Sequence, residues 1–172
     1  MARIVPVHRS SCAARGVARR ALVGSLVALL LACGPVSFVP GVRLGGTEQP
    51  TPATWESVQI PDEVQLAAHG GWIPRVVNIW AVEASGAIYV GGDRASGWVR
   101  RAVQDPRVEL RIRDAVYALS AVAVETEDER REIRAAYMAK YGEQIRAFAA
   151  DAGIEPEEFG ADGAVFRLER RP

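Results

Sequence analysis

The clearest indication of the fold comes from residues 75–111, RVVNIWAVEASGAIYVGGDRASGWVRRAVQDPRVELR. This stretch opens with residues 75–82, which are rich in β-branched and aromatic side chains and predict a strand. Ala84-Ser85-Gly86 predicts a turn, and residues 87–91 predict the returning strand. Two short strands so closely spaced favour antiparallel pairing over a crossover helix.

The second half of this stretch predicts a helix and a further strand. A polar loop over residues 92–97 leads into a short helix over residues 98–104. That helix should end at Asp105-Pro106, because the residue before a proline avoids the helical region. Residues 108–112 alternate between apolar and polar side chains, which predicts a strand with one face toward water.

The sequence on either side of this stretch predicts three more strands. Residues 63–69 alternate in part and precede Gly70-Gly71, a hairpin signal. Residues 115–124 predict a long strand and residues 164–168 the closing one. Six short antiparallel strands with helices between them predict a mainly β (α+β) fold, a small barrel with helices across its openings.

A helical pair is predicted before the last strand: Gly142 predicts a break in the first helix, and residues 145–149 continue an apolar stripe toward Gly153. Thr126 has Glu129 three residues later, which is the pattern of a capping box at a helix N-terminus. Ile133, Tyr137 and Tyr141 follow at intervals of four and should line one face of the first helix.

The chain also resembles a known family. Residues 72–80, 86–90, 96–101 and 105–111 are similar in order and spacing to the split β-barrel flavoproteins, that is, the pyridoxamine-phosphate-oxidase-like group and the related deazaflavin-dependent nitroreductases. The resemblance covers roughly residues 63–124. It implies a six-stranded antiparallel split β-barrel, FMN or a deazaflavin as cofactor, and a homodimer with the cofactor at the subunit interface.

The resemblance implies a set of cofactor-binding residues but no catalytic one. In that family an arginine opening the strand and a loop with serine and basic residues hold the cofactor phosphate. Carried over, the cofactor-binding residues are Arg75, Arg94, Ser96, Trp98, Arg100 and Arg101. A phosphate is bound well by the planar guanidinium of arginine, by a hydroxyl donor and by a helix N-terminus. The alternatives are surface ion pairs for the arginines, and core packing for Trp98 and for Trp80, which could also contact a ring.

Side-chain chemistry is sparse beyond residue 33. His69 is the one histidine there, which disfavours zinc sites and serine–histidine catalysis. No phosphate-binding glycine fingerprint is present. We therefore expect no metal, and a bound cofactor or plain ligand binding instead.

The first 54 residues predict export and a lipid anchor. Arg19-Arg20 precedes an uncharged, mostly apolar run over residues 21–32, which is short for a membrane span and typical of a signal peptide. The run ends in Leu30-Leu31-Ala32-Cys33-Gly34, which resembles the lipobox of bacterial lipoproteins and implies cleavage before Cys33 and acylation of it. The alternatives are a plain secretory signal or a buried apolar helix. Residues 33–54, rich in proline and glycine, predict a flexible linker to a domain over residues 55–172.

Charge excludes one class of function. The chain has 21 basic and 21 acidic side chains, but residues 1–32 hold five arginines and no acid. Without them, 16 basic side chains face 21 acidic ones, a net charge of −5. Such a domain is unsuited to nucleic acid, whose phosphates require a basic surface.

These observations predict an oxidoreductase of the cell envelope, lipid-anchored to a bacterial membrane, that uses FMN or a deazaflavin on a small organic substrate. A cofactor-free envelope lipoprotein that binds a small ligand or a protein partner is the alternative. A haem-binding barrel is a third, with His69 as the available ligand.

Overall fold

The computed structural model describes residues 44–171, which form eight strands and two helices. In chain order these are β1 (Thr47–Glu48), β2 (Val64–Ala68), β3 (Arg75–Ile79), β4 (Ala81–Ala84), β5 (Ala87–Gly92), α1 (Gly97–Gln104), β6 (Arg107–Ile112), β7 (Ala115–Ala123), α2 (Glu127–Ala152) and β8 (Ala164–Arg170). The predicted signal peptide and Cys33 lie outside the described residues. No helix between residues 44 and 171 has the length and apolarity that a membrane crossing requires.

The sheet is a curled, antiparallel split barrel. Its strand order is β3-β2-β6-β7-β8-β5-β4, and every neighbouring pair in this order is antiparallel. β3 and β4 lie at opposite ends of that order, yet they follow each other in the chain through Trp80. One bent segment therefore joins both edges of the sheet, so the predicted fold class is confirmed.

The predicted count of six strands is wrong. Residues 75–82 do not form one strand, because the ladder that pairs Ile79 with Val64 ends there and a new ladder begins where Ala81 pairs with Val90. The remaining strand is β1, whose Thr47 pairs in parallel with Ala115. The later part of the predicted linker thus lies along β7.

Helix α2 holds the bend at Trp80. The Tyr137 hydroxyl donates to the Trp80 carbonyl at 3.2 Å. This bond satisfies a backbone acceptor that lies between the two strand ladders. Lys140 Nζ and the Tyr141 hydroxyl both lie 3.0 Å from the Ala81 carbonyl. The Trp80 ring stacks on Tyr141, with 4.6 Å between centroids and 7° between planes. The break in the strand therefore depends on contacts from 60 residues further along the chain.

Two apolar cores support this arrangement. The inward faces of the strands form the barrel core, and α1 closes one end of it with Trp98, Val99 and Ala102. The second core lies between α2 and the outer faces of β4 and β5. Each fully buried large aliphatic side chain contributes about 1.5–3 kcal/mol.

The predicted helices are present, although the predicted pair forms one bent helix, α2. α1 follows Ser96 and ends at Asp105, as Pro106 dictates. α2 begins after Thr126, but the capping box is not formed, because Thr126 makes no side-chain cap bond. Glu129 instead accepts hydrogen bonds from Arg167 at 2.7 Å and Tyr89 at 3.2 Å. α2 bends at Tyr141, where φ is −119° and ψ is 18°.

Candidate functional site

The structure brings Arg75 to the N-terminus of α1. Arg75 is the first residue of β3, and its guanidinium lies against the backbone of Gly97, the first residue of α1. A Cβ atom at position 97 would lie 2.9 Å from both Cζ and Nε of Arg75. The close approach of the cation to the helix terminus therefore requires glycine at this position.

Two polar groups at this terminus lack partners. The Ser96 Oγ atom is buried and makes no hydrogen bond within residues 44–171. The Arg75 guanidinium likewise has no hydrogen bond or ion pair to another described residue. An unpaired buried hydroxyl costs about 1–3 kcal/mol. A cation thus lies at the N-terminus of α1, directly after Ser96, and we name Arg75, Ser96 and Gly97 the anion corner.

Of the other predicted cofactor-binding residues, two lie on α1 near this corner. Arg101 donates from Nη1 to the Ile73 carbonyl and its guanidinium contacts Gly71, so it fastens the turn between β2 and β3. Arg100 is exposed and makes no hydrogen bond or ion pair with the part of the chain that the structure describes.

The remaining two predicted residues point elsewhere. Arg94 Nε donates to the Asp162 carbonyl at 2.9 Å, which directs this side chain to the loop before β8. Trp98 is buried in the barrel core, where its ring lies edge-on to Phe166 with 5.8 Å between centroids. This is the core packing that was given as the alternative to cofactor binding. A role in cofactor binding stays a prediction for all six residues.

A cavity of about 760 Å³ lies beside residues 91–93, which precede the anion corner in the chain. Its walls are α2, the β3–β4 bend, the end of β5, the start of β8 and the turn over residues 156–163. The lining includes the aromatic residues Trp80, Tyr137, Phe148 and Phe159, the arginines Arg130 and Arg134, and the acids Glu63, Asp93, Glu158 and Asp162. Cavities of this size commonly hold a cofactor or a small molecule.

Aromatic rings form one wall of this cavity. One face of Trp80 is covered by Tyr141, and Phe148 and Phe159 lie 5.9 Å and 6.4 Å from Trp80 by ring centroids. Phe148 and Phe159 are 6.1 Å apart and nearly parallel, at 16°. They remain 52% and 37% exposed, which is unusual for phenylalanine. These three rings, Trp80, Phe148 and Phe159, are the aromatic wall, and they suit a flat apolar ligand.

The hydroxyl groups behind the wall are hydrogen-bond donors, not bases. Burial raises the pKa of Tyr141 to about 12. Burial, reinforced by the neighbouring Tyr141, raises the pKa of Tyr137 well above its usual range. Both phenols are therefore neutral at pH 7. Desolvation lowers the pKa of Lys140, whose ammonium also donates to the carbonyls of Ile60 and Pro61.

A tight turn connects the cavity to the anion corner. Asp93 lines the cavity, and its carboxylate accepts a hydrogen bond from the Ala95 amide at 2.6 Å. The Ser96 amide donates to the Asp93 carbonyl at 2.9 Å. The segment from Gly91 to Gly97 thus has the cavity at one end and the anion corner at the other.

Metal and haem ligands are scarce. Residues 44–171 contain no group of three or more His, Cys, Asp or Glu side chains placed to hold a metal ion. His69 bonds to Glu109 at 3.2 Å and is not among the residues that line the cavity.

Of the aromatic wall, Trp80 was considered from the sequence as a possible ring contact, whereas Phe148 and Phe159 were not predicted as site residues. The three rings are contributed by the strand bend, the second half of α2 and the turn before β8, which are far apart in sequence. One signal was available, since Phe159 stands alone in the otherwise polar and glycine-containing segment Glu157-Glu158-Phe159-Gly160. An isolated aromatic residue in such a loop indicates either packing or a binding surface.

Comparisons with known proteins agree with the fold. Residues 55–156 match a family described as "Uncharacterized protein conserved in bacteria" (DUF2255). No curated protein matches the sequence.

Solved structures supply the fold comparison. The conserved hypothetical protein Rv2991 from Mycobacterium tuberculosis is similar at 15% identity with a TM-score of 0.53, over 65% of this chain and 74% of that one. HutZ, the heme storage protein from Vibrio cholerae, is similar at 18% identity with a TM-score of 0.51, over 64% and 82%. A FAD-binding protein from Mesorhizobium loti has 13% identity and a TM-score of 0.48, over 65% and 83%.

Proposed function

Because the chain belongs to the family described as "Uncharacterized protein conserved in bacteria" (DUF2255) and its own sheet is a split barrel, we propose that it binds a flavin or deazaflavin and acts as an oxidoreductase on a small organic substrate. The proposal is carried by the start of α1, where the Arg75 guanidinium lies against Gly97 and where, among residues 44–171, neither this guanidinium nor the buried Ser96 hydroxyl has a hydrogen-bond partner. A cofactor phosphate satisfies both groups at once.

The residues present fit such a cofactor. Arg75, Ser96 and the first amides of α1 bind the phosphate, and Arg100 adds positive charge on the next turn of the helix. The cavity would hold the ring, because its lining includes the rings of the aromatic wall. A bound flavin or deazaflavin supplies hydride transfer, which the side chains of this domain do not.

The protein's own contribution is binding, orientation and exclusion of water. The aromatic wall excludes water from one side of the cavity. The neutral Tyr137 hydroxyl fixes the bend at Trp80, and therefore the position of that wall. As in the family it resembles, the domain acts as a homodimer that completes the site at its interface.

The location of the protein is part of the proposal. Arg19-Arg20, the apolar run over residues 21–32 and Cys33 support export followed by acylation. Several acyl chains give durable anchoring at about 0.8 kcal/mol per buried methylene. The domain then works at a bacterial membrane of the cell envelope.

An absorbance spectrum of the purified domain, residues 55–172, tests the proposal against its alternatives. Flavin or deazaflavin bands, or saturable uptake of FMN or a deazaflavin on titration, support it. A colourless protein that takes up neither favours the cofactor-free lipoprotein. An intense Soret band instead indicates a haem protein, with His69 as its first candidate ligand.

A further inference from the structure

A second surface, unrelated to the cavity, stands out at the turn between β2 and β3. This turn, residues 70–74, carries Trp72 at 102% exposure and Ile73 at 58%. Both side chains therefore project into water without packing on the domain. We name residues 70–74 the hairpin tip.

The tip is held in this projecting position by α1. Arg101 Nη1 donates to the Ile73 carbonyl, and the backbone of Gly70, at φ +23°, lies directly against the Arg101 backbone. A Cβ atom on Gly71 would lie 3.0 Å from Arg101 Cζ. Fastened in this way, the turn does not fold Trp72 back onto the barrel.

The charge around the tip is positive on an otherwise acidic domain. Residues 64–82 contain no acid, and α1 contains Arg100 and Arg101 but no acid. Arg100 is exposed and unpaired among the described residues. Two acids lie nearby: Asp105 pairs with Arg107 at 2.6 Å, and Glu109 lies 3.2 Å from His69.

We propose that the hairpin tip is a bilayer-docking element, which inserts Trp72 and Ile73 into the interface of an anionic membrane while Arg100 lies over the headgroups. Tryptophan favours the membrane–water interface, and arginine is attracted by anionic lipid. The partner in the proposed homodimer is the competing occupant, because Arg75 of the anion corner directly follows the tip. A symmetric contact there would place Arg100 beside its own counterpart, which disfavours it.

This inference rests on the proposed envelope location, because the tip meets a membrane only in an exported protein. It does not require the acyl chains. The experiment therefore uses the chain lacking residues 1–33, which keeps both apolar cores.

Cosedimentation with vesicles measures the docking. The vesicles contain either phosphatidylglycerol with phosphatidylcholine or phosphatidylcholine alone. We expect binding to the anionic vesicles that is about tenfold weaker after Trp72→Ser and about tenfold weaker after Arg100→Glu. The controls Ile154→Ser and Arg146→Glu change an exposed apolar residue and an exposed arginine on another surface and should bind as the parent does.

Two outcomes overturn the inference. One is the absence of binding to anionic vesicles, or equal binding by the parent and Trp72→Ser. The other is a change of oligomeric state on sedimentation of Trp72→Ser without any change in vesicle binding, which would assign the tip to a second copy. Cofactor uptake and Cys33 acylation are measured separately, so a failure here is distinguishable from a failure of the proposed function.

Discussion

Replacing Gly97 by alanine should separate phosphate binding from folding. The new Cβ atom would lie 2.9 Å from Arg75 Cζ and Nε and 3.1 Å from Nη1, so the guanidinium must move. It is the flexible end of a long side chain, so we expect the move to cost under about 1 kcal/mol, and alanine returns up to about 1 kcal/mol of helix propensity. The free energy of unfolding should therefore change by less than about 1 kcal/mol.

Cofactor binding should change far more. A charge-assisted hydrogen bond contributes about 1.5–3 kcal/mol, so displacing Arg75 should weaken FMN binding roughly tenfold to hundredfold. Riboflavin, which has the ring but no phosphate, should bind Gly97→Ala and the parent equally.

Fluorescence titration with FMN and riboflavin, beside urea unfolding, measures both effects. Gly45→Ala is the matched control, because its Cβ would make an ordinary 3.7 Å contact with Arg111 Nη1. An unchanged ratio of FMN to riboflavin affinity in Gly97→Ala would show that the position of Arg75 against Gly97 does not matter for phosphate binding.

Three further predictions concern the aromatic wall, the buried phenol and the anchor. Phe148→Ala combined with Phe159→Ala should weaken FMN and riboflavin equally, by about tenfold, since both rings face the ring site and not the phosphate; unequal losses on titration would contradict this. Because an unfolded tyrosine ionises near pH 10 and folded Tyr141 near 12, the free energy of unfolding should fall as pH rises through this window, and Tyr141→Phe should show a shallower fall in urea titrations at each pH. An identical slope would show that Tyr141 does not contribute. Cys33→Ala should abolish incorporation of radiolabelled palmitate and membrane retention in cells, and full retention of the variant would exclude the anchor.

Local sequence was sufficient for most of the fold. β-branched runs bounded by glycine, and the Asp105-Pro106 stop, correspond to strands and to the end of α1 because these signals act within a few residues. The break at Trp80 could not be predicted in this way. Tryptophan is a good strand former, and its removal from the ladder results from stacking on Tyr141 and the Tyr137 hydrogen bond.

Local sequence predicted the start of α1, and the family resemblance supplied Arg75. Ser96 and Gly97 open α1 as expected, and Arg75 joins them because it opens β3. Arg94 does not, because its neighbour Asp93 binds the Ala95 amide, and Arg94 itself bonds to the Asp162 carbonyl. The capping box failed for a similar reason, since tertiary partners engage the Glu129 carboxylate.

A crystal structure of the domain grown with FMN or a deazaflavin tests whether the anion corner binds the cofactor phosphate, because it locates that phosphate. We predict a phosphate oxygen within hydrogen-bonding distance of both Ser96 Oγ and the Arg75 guanidinium, with the ring in the cavity beside Trp80. A cofactor bound with its phosphate away from both groups would contradict this prediction.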